Sequence, residues 1–143
     1  LKFLCPQHRS KLSGCPQRAM QFWQKTFFES RAFINAGDWN KALIYSGNAL
    51  ESAEIILQNQ PTQMNAERYL QTAIDFALVL RNSRRPADLI AMYSLVADRM
   101  QPVGGSAERL QPLKDVLFEP LERVNEWVHQ WHQMNELRSS PLH

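Results

Sequence analysis

The chain has 143 residues, 44% apolar and 21% charged, with a formal net charge of +2. This fits one globular domain large enough to bury its own core, and it argues against disorder. Leu, Ala, Gln and Glu supply 51 residues against 15 from Val, Ile and Thr, and there are five glycines and two cysteines, so the composition favours helix over strand and leaves little for hairpins, phosphate loops or a disulfide framework.

Residues 1–16 read as an irregular basic arm. Pro6, Gly14 and Pro16 interrupt it, and each cysteine precedes a proline, which disfavours helix there. Lys2, Arg9, Lys11, Arg18 and Lys25 give residues 1–28 a charge of +5, while the remainder, with 11 basic and 14 acidic residues, carries −3. The apolar stretch at the start is too short for a signal peptide and no run reaches the roughly 18 residues of a membrane span. The expected compartment is the cytoplasm.

The first helix is predicted from about Gln17 to Ala36, with a wide aromatic face of Phe22, Trp23, Phe27, Phe28 and Phe33. Gly37 is the residue type that ends a helix in the left-handed conformation, and Asp38 can accept from the freed N–H groups that start the next one. The second helix shows a clean stripe: Trp39, Ala42, Leu43, Ser46, Ala49, Leu50, Ala53, Ile56 and Leu57. Asn59-Gln60-Pro61 closes it. Thr62 caps a third helix reaching about Asn82. The loop Ser83-Arg84-Arg85 leads to a fourth helix over about 86–101, with Pro86 in its first turn. Pro102-Val103-Gly104-Gly105 breaks that helix. Ser106 caps the last helical region, which runs to about Leu137. Pro120 should kink or split this region near Phe118, and residues 138–143 are expected to fray.

A shift of 47 residues superimposes the helices on one another. It takes Phe22 to Tyr69, Trp23 to Leu70, Phe27 to Ile74 and Phe33 to Leu80. It takes Leu43 to Ile90 and Ala49 to Val96, and a second shift takes Leu70 to Leu117. One offset serving both members of a helix pair is the signature of a helical-hairpin repeat. Phe33-x3-Gly37-Asp38-Trp39-x2-Ala42, followed by Ala49-Leu50, resembles the tetratricopeptide repeat over residues 26–50. Thr26 and Glu29 depart from that pattern, Ser83-Arg84-Arg85 replaces the Gly-Asp-aromatic turn in the second unit, and 47 exceeds the family's period of about 34.

The resemblance implies an all-α, short helical-hairpin solenoid over residues 17–137: two helix pairs and a long, Pro-kinked C-terminal capping helix. It implies non-enzymatic work as an adaptor, scaffold or chaperone-like domain that binds a peptide or partner helix on a concave surface built from the first helices of each pair. Carried onto this sequence, the groove positions are Gln24, Arg31, Asn35, Gln71, Leu78, Arg81 and Asn82. Arginine there would fork a carboxylate and asparagine would grip a backbone. Phe27, Ile34 and Ile74 occupy neighbouring positions and read as core.

Other chemistry is thinly represented. Cys5-x2-His8 with Cys15, and His129 with His132 three residues apart, have zinc-ligand spacings, giving a zinc-stabilised domain as an alternative. No metal or other cofactor is favoured. Serine-hydrolase, zincin, P-loop and dinucleotide fingerprints are absent, so no catalytic residue is assigned. A nucleic-acid-associated role would use the basic arm with Arg81, Arg84 and Arg85. Trp127, Trp131 and Met134 give the last helix an aromatic-rich face suited to homodimerisation.

Overall fold

A computed structural model describes residues 3–139, the side chains of residues 131, 132 and 135–139 excepted. Among the described residues there are seven α-helices: α1 (Pro6–Ser13), α2 (Pro16–Ala36), α3 (Trp39–Asn59), α4 (Gln63–Ser83), α5 (Leu89–Met100), α6 (Ala107–Phe118) and α7 (Leu121–Ser139). A short 3₁₀ turn, Gln101–Val103, follows α5. Among the described residues there is no strand, and no helix is long and apolar enough to cross a membrane.

The supposedly irregular arm contains α1. The Cys5-Pro6 pair that reads as a break is a start signal: Cys5 is extended, its Sγ accepts from the His8 N–H at 3.4 Å, and Pro6 sits in the first turn, where its missing N–H is not needed. Cys15-Pro16 likewise starts α2, with Cys15 extended and Pro16 in the first turn, but without a side-chain hydrogen bond from the cysteine. The fourth helix begins at Leu89, later than Pro86, because Asp88 Oδ1 accepts from the Ala91 N–H at 2.9 Å. The C-terminal helical region continues through Pro112 but divides at Pro120. The residue before that proline, Glu119, is forced extended (ψ 163°), which ends α6. Residues 138 and 139 are still helical, and 140–143 lie outside the described residues.

The 47-residue offset is borne by the long helices. α2 and α4 each have 21 residues, start 47 apart, and end on left-handed residues 47 apart, Gly37 (φ 71°) and Arg84 (φ 57°). α5 is much shorter than α3 and touches α4 only slightly, packing on α6 instead. The two expected hairpins are therefore unlike one another.

α3 packs along both α2 and α4. Its short connections on either side make it antiparallel to each. Small side chains permit the approach: Ala19, Ala42, Ala49, Ala66, Ala73 and Ala77 are completely buried, and Ser52 Oγ donates to the Ala19 carbonyl at 2.7 Å. Long side chains then join α2 to α4 directly. Trp23 Nε1 donates to Thr72 Oγ1 at 2.9 Å, and Arg31 Nε donates to Asp75 Oδ2 at 3.1 Å. The order of these bonds makes α2 and α4 parallel. α6 runs parallel to α4 in turn, since Arg109 reaches Glu67 near the start of α4 and Arg81 reaches the Val116 carbonyl near its end.

The N-terminal segment is strapped onto α3. The Phe3 and Leu4 N–H groups both donate to Glu51 Oε1, and Arg9 donates to Glu51 and Glu54 at 2.9 Å each. Phe3 lies flat on Gly47, where any Cβ would collide with its ring, and meets Phe76 edge-on at 5.6 Å. Tyr69 lies in the same cluster with Leu50, Met92 and Val96. Burial, and secondarily the Glu54 carboxylate, push its phenol above the ordinary value of 10.0.

Two outcomes follow from these observations. Arg84→Gly removes the left-handed strain that a Cβ imposes and should raise unfolding free energy by about 1 kcal/mol in urea; an unchanged or lower midpoint would contradict this. The folded chain holds the Tyr69 proton more tightly than the unfolded chain, so this contribution is complete below the unfolded pKa and is lost as pH rises above about 10. Thermal melts should show the wild type losing stability more steeply above that pH than Tyr69→Phe.

Candidate functional site

A broad concavity lies where α4, α6 and α7 meet. It is a trough of about 570 Å³, within the range of ligand and side-chain pockets. Leu70 and Ile74 of α4, Val116 of α6 and Val128 of α7 form its floor; Pro112 and Trp127 form its apolar walls. Trp127 stays 40% exposed. Glu67, Gln71, Arg109 and Asp115 mark its polar edge.

Local sequence places each wall. α4 turns every third or fourth residue, Glu67, Leu70, Gln71 and Ile74, toward α6. Arg109 anchors the start of α6 by donating to Glu67 Oε1 and Gln63 Oε1, each at 2.8 Å, and to the Val103 carbonyl at 3.2 Å. The break at Pro120 lets α7 turn back toward α4, where Val124 and Val128 are buried. Asn82 and Asn125 lock that return by exchanging side-chain amide bonds at 2.9 and 3.1 Å.

The seven expected groove residues do not act as a set. Gln71 alone lines the trough. Arg31 is an internal ion-pair partner: it is 12% exposed, Asp75 is 1% exposed, and the guanidinium lies over the Phe27 ring at 4.3 Å. Arg81 Nη1 donates to the Val116 carbonyl at 2.8 Å, so it fixes α6 to α4. Asn82 holds α7. Leu78 is buried and, with Ile34, Asn35, Trp39, Asn125 and His129, lines a smaller cleft beneath α7. Gln24 and Asn35 are exposed. α7 packs over the end of α4, so part of that first helix is covered. Val116, Trp127 and Val128 line the trough and were not among the expected groove residues, because nothing within one helix names the partner its apolar face meets.

The zinc-spaced residues are held apart. Cys15 caps the start of α2, while His129 lies beside Ile34 and Asn35 near its end, roughly 30 Å of helix away. Cys5 is exposed and His8 meets Phe22 edge-on at 4.9 Å. The His132 side chain lies outside those described. Among the described residues, no group of three or more His, Cys, Asp or Glu side chains is placed to hold a metal ion. The basic residues are similarly dispersed in role: Arg9 is tied to Glu51 and Glu54, Arg81 to Val116, and Arg84 and Arg85 are exposed. Large exposed apolar side chains are spread over α2 to α7, from Phe28 and Ile44 to Trp127 and Met134; the Trp131 side chain lies outside those described.

No protein-family profile, curated protein or solved structure matches the chain.

The status of Arg31 is directly measurable. Arg31→Ala leaves the Asp75 carboxylate buried without that partner and should cost about 3 kcal/mol or more in urea unfolding. Replacing both residues by Met and Leu should recover most of the loss. A single variant as stable as wild type would return Arg31 to the surface.

Proposed function

We propose that this protein is a tetratricopeptide-like, non-enzymatic binding domain, and that its partner is a peptide or protein segment received in the α4–α6–α7 trough. The observation that carries this reading is the trough itself: an apolar floor with one polar edge, and an indole left substantially in water at its wall. A soluble surface rarely leaves such a concavity uncovered without use. Three parallel helices, α2, α4 and α6, each joined to the next by hydrogen bonds between residues tens of positions apart, support the repeat part of the reading. They give the partner a pre-built surface, which lowers the ordering cost of binding. No catalytic step is assigned to it.

Filling the trough tests the reading. Gln71 is half-buried at its edge, so Gln71→Trp places an indole inside without removing any core side chain. Selection of a displayed random-peptide library on wild-type protein should enrich a common sequence pattern. Those peptides should lose at least roughly tenfold in affinity for Gln71→Trp and bind Gln24→Ala normally. Equal binding to wild type and to a folded Gln71→Trp would refute the reading.

A further inference from the structure

The chemistry of the trough's edge selects among segments, and this inference rests on the peptide-binding reading above. Among the described residues Arg109 is the one cation lining the trough, and its guanidinium is already directed to Glu67, Gln63 and the Val103 carbonyl; its side chain is 19% exposed. Glu67 is 67% exposed, so much of its carboxylate faces water. Asp115 accepts at Oδ1 from Gln111 at 2.7 Å, on the solvent side of α6. The atoms left to meet an occupant are therefore mainly acceptors, the second carboxylate oxygens of Glu67 and Asp115; with Arg109 pairing Glu67, these three side chains leave the edge one net negative charge. The bias continues beyond the cavity: residues 107–130 hold five acidic and three basic side chains, with Glu122 and Glu126 exposed on the helix that supplies Trp127.

Size sets the second constraint. A cavity of about 570 Å³ admits large side chains, whereas a whole helix is about 10 Å across and must lie over the opening. Leu70, Ile74, Val116 and Val128 offer no hydrogen bond to what enters, so the inserted group is apolar. A carboxylate beside that anchor would face Glu67 and Asp115 and be repelled; an ammonium or guanidinium would complete a charge-assisted bond with either.

We propose that the trough recognises a basic amphipathic peptide segment, one that inserts a leucine or aromatic side chain between Ile74 and Val128 and places lysine or arginine against Glu67 and Asp115. An acidic peptide of the same apolar pattern is rejected.

Two synthetic peptides with identical leucine and tryptophan anchors, one flanked by lysines and one by glutamates, test this by isothermal titration against the full chain. The lysine peptide should bind at least roughly tenfold more tightly at low salt. The gap should narrow when salt is raised and in Glu67→Gln/Asp115→Asn. Gln71→Trp, or Trp127→Ala if that variant is poorly folded by circular dichroism, should weaken both. Equal affinity for the two peptides, or preference for the glutamate form, with Gln71→Trp still blocking, overturns the charge selection and leaves the peptide-binding reading standing. Failure of both peptides to bind, or binding undisturbed in both trough variants, overturns the reading and the selection together.

Discussion

The close approach of α3 to its two neighbours is the constraint on which the rest depends. Fully buried alanines occur on all three helices, and Ser52 Oγ of α3 reaches the Ala19 carbonyl of α2 at 2.7 Å. With α3 sunk this far, α2 and α4 come within reach of each other's longer side chains. Trp23 then meets Thr72, and Arg31 meets Asp75. A larger side chain at Ala49 or Ala73 would separate the helices and take both bonds with it, because packed interiors give way only by shifting whole elements.

Several polar groups buried around α3 and α4 have specific partners. Thr72 accepts from the Trp23 indole and donates to the Arg68 carbonyl at 2.6 Å. Glu51 takes two backbone N–H groups and the Arg9 guanidinium. Each group exchanges water for a specific partner. Such networks fix register among helices whose apolar stripes alone would tolerate sliding. The basic N-terminal stretch is thus partly structural: Arg9 serves as a clamp on α3. Arg81 plays a matching part on the opposite side, holding α6 to α4 so that the trough has a wall.

Much of the helical layout was legible from local chemistry. Gly37, Asp38, Thr62 and Ser106 mark helix ends because left-handed backbone and free N–H groups demand those residue types. The division at Pro120 follows from the proline ring, which forces the preceding Glu119 into extended backbone. The 47-residue offset agrees with the equal lengths of α2 and α4, whereas the left-handed end at Arg84 carried no signal, because arginine is not a residue type that favours that conformation. Helix α1 was hidden because Cys5-Pro6 is ambiguous: the same geometry that stops one helix begins another. The late start of α5 was hidden because Pro86 and Asp88 both suit a helix start, and only the Asp88 side chain closes a hydrogen bond.

The candidate site was much less legible. A stripe on one helix states that a face is buried, not against which partner. Arg31 and Arg81 looked like groove residues because their spacing is right, yet Asp75 and the Val116 carbonyl, 44 and 35 residues away, claim them. The sequence by itself determined an all-helical chain, most of its helix ends and the exact offset between its two long parallel helices, since these rest on backbone geometry and on contacts within one turn. Only the tertiary structure decided that α7 turns back over α4, which arginines are internal, and where the open trough lies, since those depend on how several helices share a common volume.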